Sequence, residues 1–574
     1  MVKNKNKKKN YPLYETTVFE DFRIMTENVA KKYPDRIAIS YKDKPSDKET
    51  KTITFAKARE LIRAIGQGCV DLGLREEKVL IAGKAAWGWV LSYYALMSVG
   101  AVTVPVDKES SLADLSGIAQ KTECKAVFYS DDIAEKIAEL KDMIPTASVW
   151  VCISGKPFEG DLSIEDVVAQ GNASFAEGKN DYDTYDLDPD KVATIVFTSG
   201  TTGKGKGVML SQTNIVSDMT QGMYNFDITP KTMCVLPPHH TFGSTVNFVG
   251  HFSQGSEVYL SSGIKYFLRE IQEQQPSHMI LVPLFLETLY KRIWATAEKE
   301  GKDKILRTMM KVSNALLKVG IDMRRKFFGS IHKMLGGKLE LIICGGAALN
   351  QSIIDFFEGI GIVILNGYGI TECAPLISAN RNLYRKTGSV GTPIVGGLVK
   401  IKDPDENGEG EICYKGPNVM KGYYKEEEAT AAVFDEEGYF MTGDYGKLDE
   451  EGWIYITGRK KNLIIFSNGK NVYPEEIEAV MSGIYGVGEL VVYAGESKSD
   501  PSKEAIVLEI FPDAEALAAR NITDAKAYFD EQVKIKNEEL LSFKRVHIVK
   551  LRDVEFEKNT SRKIMRFKID KTID

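Results

Sequence analysis

Between Ile53 and Asp107 the spacing of apolar residues passes through four successive patterns, which read as helix, strand, helix, strand. Phe55 to Leu74 repeats its apolar residues every three or four positions, whereas Val79 to Ala82 is a short continuous run. Trp87 to Val99 is a helix rich in small residues, and Gly100 to Val106 is a second strand. Such alternation predicts a parallel sheet packed under helices. A second unit runs from Leu339 to Glu372. A strand ends at Cys344, Asn350 caps a helix that stops near Gly359 and Gly361, and a strand over Ile362 to Leu365 opens into a loop, Asn366 to Glu372. The polar stretch Gly171 to Asp190 reads as a linker. Beyond Gly391 the pattern shifts to short strands with Gly- and Asp-rich turns, and near Gly458 to Lys461 the chain becomes basic before a smaller α+β segment. We therefore expect two domains, 1–458 and 459–574.

One loop changes this picture from architecture to chemistry. The β-prone run Val192 to Phe197 leads into Thr198, Ser199, Gly200, Thr201, Thr202, Gly203, Lys204, Gly205, Lys206 and Gly207, with helix pattern from Ser211. Glycines let backbone N–H groups converge, short hydroxyls add donors and lysine adds charge, a combination suited to polyphosphate. Gly200 to Lys206 also fits the front of a Walker A loop, but the next residue is Gly207 rather than a magnesium-binding Ser or Thr, so a P-loop NTPase is not expected.

Composition narrows the choice further. The chain of 574 residues is 43% hydrophobic and 27% charged, ordinary for a globular protein of at least two domains. A net charge of −6 argues against general nucleic-acid binding. No apolar run is long enough for a membrane span. The lysine-rich start, Met1 to Asn10, has no apolar segment after it and is not read as a secretory signal. Seven scattered cysteines without metal-ligand spacing read as core residues in a reducing cytoplasm.

Four further stretches carry candidate chemistry. Asn366-Gly367-Tyr368-Gly369-Ile370-Thr371-Glu372 offers an aromatic face to a purine, a hydroxyl to a phosphate and a carboxylate to magnesium. Thr442-Gly443-Asp444 ends a short strand with an acid able to accept from both ribose hydroxyls. Gly458-Arg459-Lys460-Lys461 is a basic turn between the expected domains, and Asn559-Thr560-Ser561-Arg562-Lys563-Ile564-Met565-Arg566 lies near the C-terminus. In order and kind these stretches, with the glycine loop, resemble the adenylate-forming superfamily of acyl-CoA synthetases, and in particular bacterial long-chain fatty acid–CoA ligases. The departures are Gly205 where that family has Pro, Asn559 for Thr and Arg562 for Gly.

The resemblance implies an α/β fold with a large N-terminal adenylate-forming domain, helix-flanked sheets plus a small β subdomain, and a small mobile α+β C-terminal domain. It implies an ATP- and Mg²⁺-dependent acid–thiol ligase that makes an acyl-adenylate and passes the acyl group to coenzyme A, or alternatively to a carrier protein's phosphopantetheine. An inactive nucleotide-binding regulatory protein is the alternative from another class. Lys563, Thr371, Glu372 and His240 take catalytic positions, with Glu372 on the metal. Thr198, Ser199, Gly200, Thr201, Thr202, Gly203, Lys206, Gly345, Gly346, Ala347, Asn366, Gly367, Tyr368, Asp444 and Arg459 line the nucleotide, and Lys461 is the interdomain hinge.

The acid is expected to be a fatty acid or another non-amino acid, because Thr241 to Gly250 holds no carboxylate to pair a substrate ammonium. Gly243, Ser244 and Gly250 either open a tunnel for an alkyl chain or permit close packing. Lys291 to Lys338 is basic and amphipathic, with Arg324-Arg325-Lys326 beside Phe327-Phe328. Peripheral contact with an anionic bilayer and packing on its own domain are both open readings for it.

Overall fold

The computed structural model describes residues 13–198, 205–228, 230–465, 471–499, 505–558 and 564–573. The chain divides into two compact units. The first holds the residues up to Leu398 with Lys415–Gly438 and Glu451–Trp453; the second holds Val399–Tyr414, Tyr439–Glu450 and Ile454 onward. Packing thus groups the short strands after Val399 with the C-terminal residues, and the chain passes between the units several times.

The first unit is built on two large sheets. One has eight strands, in the order Gly422–Tyr423, Lys206–Ser211, Val192–Thr198, Val102–Val106, Lys78–Ala82, Ala126–Ser130, Val149–Ser154 and Leu162–Ser163. Its centre is parallel, as the alternating pattern predicts, with Lys78 to Ala82 beside Val102 to Val106. The other has nine strands, and its parallel centre runs through Lys231–Cys234, His278–Leu281, Leu341–Cys344 and Val363–Gly369. The helices Phe55–Asp71 and Trp87–Ser98 fall within a few residues of their expected limits. Asn350 caps Gln351–Ile360 through its side chain, and Gly361, at φ +97°, ends that helix. All seven cysteines are buried. Among the described residues no helix is long and apolar enough to cross a membrane.

Two stretches differ from expectation. Gly171 to Asp190 is not a linker. The helix Ile164–Ala176 packs Gly171 onto the helix Phe55–Asp71, and Tyr182 is buried against Gly66. The polar residues that suggested a linker form the outer face, with Asp183 held by Arg63. The run Asn366 to Glu372 is likewise not all loop, because the strand continues to Gly369 and pairs antiparallel with Leu376–Ala379. A Cβ at Gly369 would lie 2.1 Å from the Pro375 carbonyl, so glycine permits this close hairpin.

The second unit contains a four-stranded sheet, Leu398–Lys402, Gly410–Lys415, Phe440–Leu448 and Ile454–Arg459. A three-stranded sheet, Val487–Gly495, Ala505–Pro512 and Ile548–Leu551, carries the helices Pro474–Met481 and Ala525–Lys536. Ile477, Met481, Val492, Leu508 and Phe529 form its core. Arg566 braces this core at the C-terminal end, donating to the Glu478 carboxylate and, at 3.0 Å, to the Val492 carbonyl.

Helix contact in the first unit depends on missing side chains. A Cβ at Gly171 would lie 1.9 Å from the Ala64 carbonyl, and one at Gly68 would lie 2.4 Å from the Val167 carbonyl. Gly117, on the exposed side of the helix Leu112–Thr122, has open space around it. Gly171→Val is therefore expected to cost more than about 2 kcal/mol through overpacking. Gly117→Ala is expected to add about 0.5 kcal/mol by restricting the unfolded chain. Urea denaturation midpoints of the two variants check both signs.

Candidate active site

The glycine loop is flanked in sequence by two paired strands. Val192–Thr198 and Lys206–Ser211 pair antiparallel, with Thr198 opposite Lys206. The helix Gln212–Gly222 begins only after the second strand, capped by Ser211. A P-loop runs directly from strand to helix, so the topology agrees with the missing Ser/Thr in setting that motif aside. Ser199, Gly200, Thr201, Thr202 and Gly203 lie outside the described residues, whereas Thr198 and Lys206 are described. Gly205 has a local reason to replace proline, since a Cβ there would come within 2.5 Å of the Thr198 carbonyl.

Lys206 leads to the acidic turn. Its ammonium lies over the ring of Tyr423, 4.6 Å from the centroid, and Tyr423 donates its phenolic O–H to Glu372 Oε1 at 2.9 Å. Tyr423 reaches this position because its short strand pairs with the second strand of the hairpin. Burial, with the Glu372 carboxylate beside it, raises the phenol far above its usual pKa, so it stays a donor. Sequence reasoning missed Tyr423, which carries no motif around it; its strand partnership is visible only in three dimensions.

The turn bearing Glu372 is fixed from behind. Thr371–Cys373 forms one 3₁₀ turn after the hairpin strand. Asp218 Oδ1 accepts from the Leu376 N–H at 2.9 Å and from Asn418 Nδ2 at 3.0 Å. Asn418 Nδ2 also reaches the Cys373 and Leu376 carbonyls, at 2.7 and 2.8 Å. The Met420 N–H donates to the Glu372 carbonyl at 2.8 Å. Asp218 and Asn418 are the second omission of sequence reasoning, since single polar residues in apolar surroundings give no pattern. Asp218 is wholly buried and its Oδ2 has no partner among the described residues.

A third segment joins at the ends of the parallel strands. Gly345 closely follows Leu341–Cys344, and a Cβ there would lie 3.2 Å from the Phe242 ring and 3.3 Å from the Gly367 carbonyl. Gly346, at φ +84°, and Ala347 are exposed, and Asn366 and Gly367 are half-buried above them. Tyr368 is buried. Ligands gather at such strand ends in open α/β sheets. Phe242–Gly250 is a π-helix, a rare form concentrated at functional sites. His240 precedes it and stacks at a tilt on His239, ring centroids 4.1 Å apart. His239 lies 3.7 Å from Asp107, and burial pushes its imidazole down to about 4. A Cβ at Gly243 would lie 2.1 Å from the Pro237 carbonyl, and one at Gly250 3.1 Å from Met219 Sδ. These glycines therefore serve close packing, the second of their two readings. Thr245 Oγ1 and both amide atoms of Asn247 are buried without a partner among the described residues, which marks this interior as polar.

In the second unit Asp444 and Arg459 are cross-strand partners, with Arg459 Nε 2.9 Å from Asp444 Oδ1. The Asp444 side chain is only 4% exposed and that of Arg459 is 46% exposed. Glu411 accepts from the Gly443 N–H at 3.2 Å and from Lys460 Nζ at 2.7 Å, holding the turn before Asp444. Desolvation, with Arg459 nearby, lowers the Lys461 ammonium below its usual value. Lys563 lies outside the described residues.

A cation and a carboxylate joined through one phenol, beside the strands that flank a glycine-rich loop, suit an α/β enzyme that handles a nucleotide. The chain belongs to the AMP-binding enzyme family, whose profile matches residues 26–424. It is 29% identical over 466 residues to the long-chain-fatty-acid–CoA ligase FadD15 of Mycobacterium bovis, covering 78% of this chain and 76% of that one. It is 28% identical over 538 residues to the chloroplastic long-chain-fatty-acid–[acyl-carrier-protein] ligase AEE15 of Arabidopsis thaliana, covering 81% and 73%. Its fold is similar to that of the Bacillus subtilis O-succinylbenzoate coenzyme A synthetase solved with ATP and magnesium. That likeness has a TM-score of 0.68 at 21% identity and covers 95% of this chain and 98% of the other.

The state of Asp218 has a measurable consequence. Burial holds its carboxyl well above the usual aspartate range. The folded chain therefore keeps a proton there that the unfolded chain releases above about pH 4. Stability from this group is complete below that pH and falls as pH rises toward the folded-state value. Asp218→Asn preserves the accepting oxygen and removes the fall. Its melting temperature relative to the parent chain should climb between about pH 5 and pH 8. A difference independent of pH would mean that Asp218 is ionised in the folded chain.

Proposed function

We propose that this chain activates a medium- or long-chain fatty acid with ATP and transfers it to coenzyme A. The observation that carries the reading is the Lys206–Tyr423–Glu372 cluster within an AMP-binding family member. A carboxylate is a poor electrophile and needs a better leaving group. In the first step a carboxylate oxygen bonds to the α-phosphorus of ATP, the bond to the β-phosphate oxygen breaks, and pyrophosphate leaves. In the second, a thiolate bonds to the acyl carbon and AMP departs. No protein nucleophile is required, so the chain's work is charge stabilisation around phosphorus.

The residues divide that work. Lys206 and the loop N–H groups offset phosphate charge. Thr371 donates to a phosphate oxygen, and Tyr368 with Gly345, Gly346 and Ala347 borders the base. Glu372 is the oxygen donor that would hold Mg²⁺, and its half-buried carboxylate suits a hard cation that prefers oxygen ligands. The metal would supply Lewis-acid neutralisation of the phosphate oxygens. Asp444 takes the ribose hydroxyls and Arg459 the ribose or phosphates. Lys563 meets the α-phosphate and the carboxylate oxygen in the first step, His240 borders the carboxylate, and rotation about Lys461 carries residues 459–574 to the second step.

A carrier protein's phosphopantetheine is a second reading of the acceptor, supported by similarity to the Arabidopsis carrier-protein ligase.

The purified protein should be incubated with Mg²⁺, ATP and acids from acetate to stearate, with hydroxylamine to trap acyl-adenylate. We expect AMP and pyrophosphate from longer acids, and multiple turnover once coenzyme A is added. Turnover with a holo-carrier protein alone would move the acceptor to the second reading, and no cleavage of ATP with any acid would overturn the activity. Lys563→Ala should slow adenylation by roughly 10²-fold or more. It should leave thioester formation from preformed acyl-adenylate near the parent rate. Equal loss in both half-reactions would remove the rotation from the scheme.

A further inference from the structure

The excursion 291–338 carries a surface that the proposed chemistry does not use. Its longest exposed helix, Asp303–Lys318, packs Leu306, Met309, Met310 and Ser313 inward. Met310 reaches Gly359 on the helix Gln351–Ile360, where a Cβ would lie 3.1 Å away. The opposite side repeats every seven residues. Ile305, Val312 and Val319 are 56%, 46% and 71% exposed. Each follows a lysine, Lys304, Lys311 or Lys318, that is exposed and has no ion pair among the described residues. Thr308 and Ala315, both small and exposed, fill the positions three residues after Ile305 and Val312. β-branched residues at one seam position, small residues at the other and a single charge sign on the flank form half of a coiled-coil interface.

We propose that the outer face of the helix Asp303–Lys318 docks an acidic amphipathic helix of a second protein. The charge decides among occupants. A second copy of this chain placed antiparallel would set lysine against lysine. A parallel copy would need Met309 and Leu316 on its seam, and Met309 is packed against its own domain's core while Leu316 is half-buried. A bilayer fits less well because the lysines and Thr308 lie farthest from the buried side, with the aliphatic row on their flank. A helix lying on lipid turns its apolar stripe outermost and splays its lysines sideways. The neighbouring basic run does not supply the missing attraction. Arg324 donates to the Glu358 carbonyl at 2.9 Å, and Arg325 to the Gly337 and Leu339 carbonyls at 3.0 and 2.9 Å. Both are braces of their own domain. A partner helix with apolar residues at heptad spacing and Glu or Asp on its flank would cover Ile305, Val312 and Val319 and pair the three lysines.

The test uses the full chain and a fluorescent three-heptad synthetic peptide with Leu at both seam positions and Glu at the flanking positions. Anisotropy at low ionic strength should show saturable binding, weakened about tenfold or more by Lys304→Glu, Lys311→Glu and Lys318→Glu together. Ile305→Asp with Val312→Asp should weaken it likewise, and a peptide with Lys replacing Glu should not bind. Pyrophosphate release by the variants should match that of the parent chain, which shows that they are folded. Binding of the Lys peptide as strong as that of the Glu peptide would overturn the proposal, whatever the variants do. So would capture by phosphatidylglycerol vesicles through the same three lysines with no peptide binding.

Discussion

A buried carboxyl group with no cation beside it among the described residues holds the site together. Asp218 stands on the helix that follows the hairpin, and its one accepting oxygen ties down both the Leu376 amide and the Asn418 side chain. Asn418 in turn fastens the carbonyls on either side of the Thr371–Cys373 turn. A charged aspartate here would be costly in so dry a setting, and a neutral one gives direction without net charge. The carboxylate that matters to the proposed chemistry, Glu372, is thus positioned by main-chain bonds. Its Oε1 accepts from Tyr423, and the proposed metal would draw on the same carboxylate.

Glycine has a different purpose in each part of the first unit. At Gly68 and Gly171 it lets two helices meet backbone to backbone, and at Gly369 it lets a strand turn back on itself. At Gly205 it brings the base of the loop against Thr198. In each case a main-chain carbonyl occupies the space that a Cβ would need. The Gly/Pro difference at residue 205 is therefore a local packing solution as well as a departure from a family pattern.

Much of this was legible in the chain itself. Parallel strands such as Val79 to Ala82 and Leu339 to Cys344 are short apolar runs between helical periods, and that contrast survives without tertiary information. The glycine loop and the Glu372 turn stood out by their residue types and the Asp444 turn by its likeness to the family, and the strand pairing sets Thr198 opposite Lys206 and Asp444 opposite Arg459. Tyr423, Asp218 and Asn418 were not legible. Each acts through a partner dozens to hundreds of residues away, and strand pairing or helix placement, not local spacing, makes the contact. Gly171 to Asp190 was misread for the same reason, because Tyr182 is buried only once the helix Phe55–Asp71 is there to receive it. The strand through Gly369 was missed because its glycines read as a turn, while its pairing with Leu376–Ala379 is non-local.

The same distinction separates the two kinds of positive charge on this molecule. Arg324 and Arg325 look in sequence like a basic patch, yet their guanidinium groups are engaged by carbonyls at helix and turn ends, where a planar donor satisfies acceptors that would otherwise be lost. Lys304, Lys311 and Lys318 are scattered in sequence but fall in one exposed row when wound into a helix. Lys206 belongs to neither group, because it lies over an aromatic ring whose hydroxyl donates to a carboxylate. What a cation can do here follows from what already surrounds it: a braced arginine maintains the fold, a row with no ion pair among the described residues can meet another molecule, and a lysine joined to an acid through one phenol suits the proposed work on phosphate.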